Sequence, residues 1–179
     1  MHSDEWQTGK RFFLTYVANI QKPLTVVEIG SIIGCLRTNR TSNIIDYIGV
    51  NSTLDAESDI VLHPDHPYYY QLWNDTVDVV VSSSYFENSR SVGLSFMEAM
   101  RILKPDGILF CNIPADQFIP NNNEQYPTTP QLLEQWANVS NIPVKLLESK
   151  ILPNNKGYFA IFIKNKAYDY CYRMRIFDN

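Results

Sequence analysis

The chain has 179 residues, of which 45% are hydrophobic. This length suits one domain with a substantial core, since a chain of this size buries about 70% of the surface that it exposes when unfolded. The formal net charge of −4 argues against a general nucleic-acid binder, whose surface would carry a basic face.

The three cysteines, at positions 35, 111 and 171, are far apart and form no CxxC pair. We therefore expect neither a disulfide framework nor a zinc site, and a reducing compartment fits them best. The apolar runs are much shorter than a membrane span, and the N-terminus starts with polar and charged residues rather than with a signal-peptide pattern. We predict a soluble, cytoplasmic protein.

The first predicted element is a helix over residues 3–20. Ser3 suits the N-cap, and Trp6, Phe13 and Tyr16 recur at helical spacing. We interpret the segment as a helix packed on a sheet. A lid over a ligand pocket is the alternative.

A buried strand and a glycine turn follow in the sequence TVVEIGSIIGCLR, residues 25–37. The β-branched run that ends at Gly30 is too short to nucleate a helix. A strand followed by a glycine turn brings backbone N–H groups to a small polar ligand, although a tight turn without a ligand is also compatible. The next strand, Tyr47 to Val50, favours the ligand, because it ends at Asn51, about 20 residues after Gly30, where nucleotide-binding folds place a polar group for ribose hydroxyls.

A third strand is predicted at Asp59 to Leu62, before the segment His63-Pro64-Asp65-His66-Pro67. Two histidines and an aspartate within four residues suggest a metal cluster. The prolines hold the segment extended, however, and no fourth ligand is identifiable, so we favour a solvated loop and predict no metal.

The central strand is predicted at Val77 to Val81, which is apolar on both faces, and a polar loop begins at Ser82. A helix over Val92 to Leu103 comes next. Lys104-Pro105-Asp106-Gly107 then predicts a turn in which the proline sets φ at the second position and the glycine takes a positive φ at the fourth. A fifth strand covers Ile108 to Ile113.

The last third of the chain begins with a long polar loop. It is followed by a helix that Thr129 caps, by two strands that form a hairpin, and by an aromatic and basic tail of unassigned role. In order, these elements cover residues 115–129, 130–139, 144–151, 157–163 and 168–179. We predict one domain over residues 1–167, followed by the tail.

Strands that alternate with helices predict right-handed crossovers and an open α/β sheet. Ligands of such sheets bind outside the carboxyl ends of the strands. We therefore expect the chemistry in the loops that start at that edge, at Gly30, Asn51, His63, Ser82 and Pro114.

The succession VVEIGS, YIGV, VDVVVSSSYFEN and FMEAMRILKPDGILF resembles the class I S-adenosylmethionine-dependent methyltransferases over residues 6–164. Met97 to Leu109 is the most specific part, because it is similar to the family's EM.RVLKPGG.L crossover. EIGSIIGCLR with YIGV and DIVL further resembles a subgroup of small bacterial-type methyltransferases often found with glycan-modifying genes. The resemblance implies a Rossmann-like fold, with a mostly parallel seven-stranded sheet, a C-terminal antiparallel hairpin and helices on both faces.

The resemblance also implies that the chain binds S-adenosyl-L-methionine. Asn51 stands where the family has an acid for the ribose hydroxyls, Ile32 replaces the usual middle glycine, and Asn88 stands where the common motif has His. Carried over by position, the residues for the methionine and ribose are Glu28, Gly30, Ser31 and Gly34, with Asn51 at the ribose hydroxyls. The segment from His63 to Asp65 would lie near the adenine, and Asp65 is its predicted binding residue. The segment from Ser82 to Ser84 would flank the sulfonium, and Ser82 and Ser83 are its predicted binding residues.

The implied activity is O-methylation of a sugar or glycan hydroxyl, for which a general base is needed. Asp116 directly follows the fifth strand and is our first candidate, although a solvated loop carboxylate is an equally good interpretation. His63, His66 and Asp65 are the other candidate bases, and Tyr85, Asn88 and Gln117 are candidate positioning groups.

A methyltransferase-like module that has lost catalysis and serves as a binding or scaffold protein is the rival hypothesis, because a glycine and an acid of the family are replaced. A nicotinamide dinucleotide-binding domain is disfavoured, since the G-x-G-x-x-G spacing is absent. Acceptor contacts would come from the N-terminal helix, from residues 115–129 or from a partner chain, as in a homo-oligomer or a multidomain parent protein.

Overall fold

The computed structural model describes residues 3–30, 36–56, 58–63, 69–83, 92–114, 129–139, 144–152 and 157–166. The strands are β1 Leu24–Ile29, β2 Ile44–Asn51, β3 Ile60–Val61, β4 Val77–Ser83, β5 Leu103–Pro114, β6 Val144–Ile151 and β7 Gly157–Lys164. The helices are α1 Ser3–Phe12, which a π-helical turn Phe13–Val17 continues, a 3-10 helix Leu36–Asn39, α2 Val92–Ile102 and α3 Pro130–Val139.

The seven strands form one mixed sheet in the order β3-β2-β1-β4-β5-β7-β6. The first five strands are parallel to one another. Strand β7 is antiparallel to both β5 and β6, so the predicted C-terminal hairpin is confirmed. The chain leaves β1 toward β2 and later returns to place β4 on the other side of β1, which makes β1 the point where the strand order reverses.

Helix α1 packs on one face of the sheet, and α2 and α3 pack on the other. Phe12, Phe13 and Val17 are buried, and the Phe12 ring stacks on Phe110 of β5 with 4.8 Å between the ring centroids. The packed N-terminal helix is therefore confirmed, although its helical turns end at Val17 rather than at Ile20.

The predicted turn at residues 104–107 is wrong in two respects. The positive φ belongs to Asp106, at 63°, and not to Gly107. Gly107 is required for a different reason: a Cβ atom there would lie 2.8 Å from the Lys104 carbonyl oxygen and 3.1 Å from that of Asp78. The turn also lies within β5 rather than before it, where it shifts the register between β4 and β5.

Helix α3 starts as the sequence predicts. The Thr129 side chain accepts a hydrogen bond from the Leu132 N–H at 3.2 Å, which is the geometry of an N-cap. Pro130 occupies the first helical position, where its missing N–H leaves no hydrogen bond unmade. The loop before this helix and the C-terminal tail lie outside the described residues.

Ion pairs with one buried member each close the amino edge of the sheet, away from the expected ligand edge. Asp78 is 5% exposed and lies 2.9 Å from Lys22 Nζ and 2.8 Å from Lys104 Nζ. The Lys164 ammonium is fully buried and donates to Asp75 and to the Leu103 carbonyl, both at 2.6 Å. These contacts join the start of β4, the start of β5 and the end of β7.

Candidate functional site

The carboxyl ends of β2, β1 and β4 meet at one edge of the sheet. Ile29 of β1 pairs with Val50 of β2 on one side and with Ser82 of β4 on the other. The Gly30 N–H donates to the Val50 carbonyl at 2.8 Å. Gly30 and Asn51, two of the predicted cofactor-binding residues, are thereby brought together at the point where the strand order reverses, the usual ligand site of open α/β sheets.

Gly30 begins the turn after β1 with a φ of 79°. This is the left-handed region, which a side chain disfavours, so glycine is the residue that the turn needs. Ser31 and Gly34 lie outside the described residues, and their predicted cofactor contacts remain predictions.

Glu28 holds this turn closed. It is fully buried, and its two carboxylate oxygens accept hydrogen bonds from the Leu36 N–H at 3.0 Å and from the Tyr47 hydroxyl at 2.7 Å. These contacts tie Leu36, which follows the turn, to β1 and β2. The sequence predicts that Glu28 also lines the cofactor, and that contact stays a prediction.

Asn51 organises the loop that follows β2. Its side chain is buried, and its amide group donates to Asp55 at 3.0 Å and to the Ser58 hydroxyl at 2.8 Å. Ser58 Oγ in turn lies 2.8 Å from the other carboxylate oxygen of Asp55. The structure thus places a carboxylate next to Asn51, four residues later in the chain.

Asp55 was not singled out in the sequence. The only signal was an acidic residue inside the polar loop NSTLDAES after the second strand. Such a loop carboxylate is ordinarily solvated. Its hydrogen bonds to Asn51 and Ser58 hold it at the edge where the sequence predicts a ribose-binding group.

Two buried side-chain oxygens near the ends of β4 and β5 make no hydrogen bond within the described residues. Ser82 is fully buried on the face that α2 and α3 cover, and Asn112 of β5 is 3% exposed. Neither Ser82 Oγ nor Asn112 Oδ1 has a hydrogen-bond partner in the part of the chain that the structure describes. Sequence reasoning missed Asn112, although a polar residue within the apolar run ILFCNI was a usable signal. Ser83 ends β4 at the same edge.

His63 is the one predicted catalytic residue within the described ranges. It is exposed and directly follows Leu62, whose N–H donates to the Asn51 carbonyl at 2.7 Å. His63 therefore lies at the β3 end of the edge, on the side where the resemblance expects the adenine. Asp116, Tyr85 and Asp65 lie outside the described residues, as do the further candidates His66, Asn88 and Gln117.

The motif that carries the family resemblance has a structural role at the opposite edge. Arg101 is 4% exposed and binds Glu98 through two hydrogen bonds, at 2.7 and 2.6 Å. It also donates to Asn74 and to the Leu72 carbonyl. Glu98 and Arg101 therefore fasten the segment before β4 to α2, and they take no part in the ligand edge.

Three other findings bear on the sequence predictions. None of the helices in the described part of the chain has the length and hydropathy that a membrane crossing requires. Within the same ranges, no three His, Cys, Asp or Glu side chains are grouped as a metal site would need. Cys111 is buried against the Ala160 carbonyl, and burial raises the pKa of its thiol to about 12.

No family model and no curated protein matches the chain. Among solved structures, it is similar to a SAM dependent methyltransferase from Aquifex aeolicus, with a TM-score of 0.61, 10% identity, and 90% and 89% of the two chains covered. It is also similar to the trans-methyltransferase CalH in complex with SAH, with a TM-score of 0.63, 12% identity, and 89% and 57% covered. The chain thus has the Rossmann-like fold of class I S-adenosylmethionine-dependent methyltransferases.

The same fold also occurs with another activity. The [4+2]-cyclase SpnF matches the chain with a TM-score of 0.66 and 11% identity, and the match covers 91% of this chain and 82% of SpnF. At this level of identity, the similarity establishes the fold, while function has to be argued from the site.

Proposed function

We propose that this protein is an S-adenosylmethionine-dependent methyltransferase that methylates a hydroxyl of a sugar or glycan. The observation that carries the proposal is the joint placement of a left-handed glycine turn at Gly30 and of the Asp55 carboxylate beside Asn51, on adjacent strands at the edge where such sheets bind nucleosides. CalH, a structural neighbour, has been crystallised with SAH.

The described residues fit the cofactor. The Gly30 turn leaves the backbone open to close approach, and Glu28 keeps the two ends of the turn together. Asp55 offers a charged hydrogen-bond acceptor for ribose hydroxyls, and Asn51 orients it. We assign Ser31 and Gly34 to the methionine end, Asp65 to the adenine, and Ser82 and Ser83 to the sulfonium, as the family resemblance implies.

When bound, the cofactor would supply an electrophilic methyl group on a sulfonium. The sulfur leaves without needing a proton, so the chain's main contribution is to align the acceptor with the methyl group. A sugar hydroxyl also has to lose its proton, and we assign that task to Asp116, with His63 and Tyr85 as further candidates. Replacement of Asp116 by Asn should abolish methyl transfer and leave cofactor affinity intact, and unchanged transfer would remove Asp116 from the mechanism.

Isothermal titration with S-adenosylhomocysteine tests the cofactor site. We expect micromolar affinity for the unmodified chain and about tenfold weaker binding for Asp55→Asn, which loses a charge-assisted hydrogen bond. Asp46→Asn is the matched control, because Asp46 is an exposed carboxylate at the opposite end of β2. A chain that does not bind at millimolar ligand contradicts the proposal.

A binding or scaffold module without catalysis is the second candidate function. It is favoured by the use of the Asn51 amide within the protein and by Ile32, which stands at the position of the family's usual middle glycine. Transfer of tritium from methyl-labelled cofactor to a panel of mono- and oligosaccharides separates the two functions. Cofactor binding without transfer to any acceptor supports the module.

A further inference from the structure

Asn112 lies in the same row of the sheet as the glycine turn, where a row means the residues at the same level along neighbouring strands. Ile29 pairs with Ser82, and Ser82 pairs with Cys111, so Gly30, Ser83 and Asn112 come one residue further toward the carboxyl edge. Neighbouring strands are about 4.8 Å apart, which places Asn112 on β5 about 10 Å from β1. It therefore flanks the proposed cofactor site on the side away from β2.

The side chain of Asn112 is on the face that α1 covers. Side chains alternate along a strand, so Asn112 shares the face of Phe110, whose ring stacks on Phe12 of α1. Glu28, which closes the glycine turn, belongs to this face through its bonds to Tyr47 and Leu36. In the row of Asn112, Gly30 contributes no side chain. Ser83 of β4 separates Asn112 from Gly30 in this row, so Asn112 lies two strands from the turn that we assign to the cofactor.

Asn112 differs from Asn51, a buried amide at the same edge, and from the partly buried Asn43. The Asn39 amide nitrogen is also unpaired within the described residues, but Asn39 lies in the 3-10 helix. Asn43 donates to the Val17 and Ile20 carbonyls, both at 2.9 Å, and Asn51 donates to Asp55 and Ser58. Asn112 is just as buried as Asn51, yet its Oδ1 accepts no hydrogen bond from any described residue. Buried polar atoms are nearly always paired, because desolvation without a partner is costly. An unpaired oxygen at a ligand edge indicates a partner that arrives with a ligand.

We propose that Asn112 positions the methyl acceptor, with Oδ1 accepting a hydrogen bond from a hydroxyl of a sugar. This inference rests on the proposed methyltransferase function. In the transfer, the acceptor oxygen forms the new C–O bond, the C–S bond of S-adenosylmethionine breaks with its electron pair on sulfur, and the hydroxyl proton passes to the general base. An amide oxygen is not basic enough to take that proton, so Asn112 acts on acceptor binding and orientation.

The first test measures the ligand-free protein. Asn112→Leu replaces the amide by an apolar group of similar size and removes a desolvated, unpaired oxygen, so the melting temperature should rise. Asn43→Leu is the matched control and should lower it, because the Val17 and Ile20 carbonyls lose their donor. Equal destabilisation by the two substitutions would show that Asn112 is already paired within the protein, and that result overturns the inference.

The second test observes the acceptor side directly. The ¹⁵N-labelled full chain is saturated with S-adenosylhomocysteine and titrated with methyl α-D-glucopyranoside, while the Asn112 side-chain NH₂ signals are followed by NMR. We expect these signals to move saturably. The fully O-methylated glucoside, which has no hydroxyl to donate, should leave them in place.

The variants then separate acceptor binding from cofactor binding. Asn112→Leu, or Asn112→Ala if the leucine variant does not fold, should weaken glucoside binding about fivefold or more and change S-adenosylhomocysteine affinity less than twofold. Three outcomes would each overturn the role of Asn112: side-chain NH₂ signals that do not move, an equal response to both glucosides, or a parallel loss of cofactor affinity. Failure of the unmodified chain to bind S-adenosylhomocysteine is seen before any glucoside is added, and it refutes the proposed function together with this inference.

Discussion

Glu28 and Leu36 are joined across the glycine turn by a hydrogen bond of 3.0 Å from the Leu36 N–H to Glu28 Oε1. The second carboxylate oxygen accepts from the Tyr47 hydroxyl at 2.7 Å. One fully buried carboxylate therefore ties the residue after the turn to the strand before it and to β2. The shape of the candidate cofactor site depends on this group.

Replacement of Glu28 by Gln tests that dependence. The amide keeps one acceptor oxygen and turns an NH₂ group toward one of the two donors, so we expect the free energy of unfolding to fall by about 1–3 kcal/mol. Urea denaturation measures it. Glu148→Gln is the control, because the Glu148 carboxylate also has two donors but is 26% exposed. The free energy of unfolding of this control should fall by less than about 1 kcal/mol. An equal fall in the two variants would contradict the structural role of Glu28.

Replacement of Arg101 by Lys should be strongly destabilising. Lysine keeps the charge but not the planar fork that binds both Glu98 oxygens and also reaches Asn74 and Leu72. Breaking such a buried pair costs about 3–5 kcal/mol. Arg11→Lys is the matched control at a surface pair, where Arg11 is 56% exposed, and should cost less than about 1 kcal/mol. Urea denaturation measures both variants. Equal urea midpoints for the two variants would refute the prediction.

Asp78 should make stability depend on pH under acidic conditions. Burial by itself raises the pKa of Asp78, but hydrogen bonds from Lys104, Lys22 and the Thr25 N–H outweigh it, so that the pKa lies below 3.8. A carboxyl with a lowered pKa in the folded state contributes stability above its unfolded pKa and loses this contribution as the pH falls through the folded pKa.

The expected result is a difference in unfolding free energy between the unmodified chain and Asp78→Asn that is largest near neutral pH. It should be about 1–3 kcal/mol there and shrink as the pH falls below about 4. Urea titrations at a series of pH values provide the measurement. A difference that stays constant across the series would mean that the charge of Asp78 contributes nothing to stability, and that only the shape of its side chain matters.

The turn inside β5 predicts opposite tolerances for two adjacent residues. Gly107→Ala brings a Cβ to within 2.8 Å of a backbone oxygen and should cost about 1–3 kcal/mol. Asp106→Gly removes the backbone strain of a side chain at a φ of 63°, but it also makes the unfolded chain more flexible. The two effects oppose each other, so the free energy of unfolding should change by no more than about 0.5 kcal/mol. Melting temperatures distinguish the two, and a well-tolerated Gly107→Ala would contradict the close approach.

The elements of this fold follow from local sequence. The β-branched runs predict β1 and β4, helical spacing predicts α1 and α2, and Thr129 with Pro130 predicts the start of α3. These signals are local, because a strand or a helix is selected by residues that are neighbours in the chain. The loops that meet at the ligand edge were predicted in the same way, from the strands that precede them.

Several partners of the buried polar groups were decided by tertiary structure, unlike the Glu98–Arg101 pair on α2, whose members are three residues apart. Lys164 binds Asp75, 89 residues earlier in the chain, and no local pattern encodes that contact. The positive φ at Asp106, the carboxylate of Asp55 beside Asn51 and the unpaired oxygen of Asn112 likewise emerged only from the structure. A buried polar group is satisfied by whatever the packed sheet and helices bring next to it, so its role becomes visible only once the strand order and register are known.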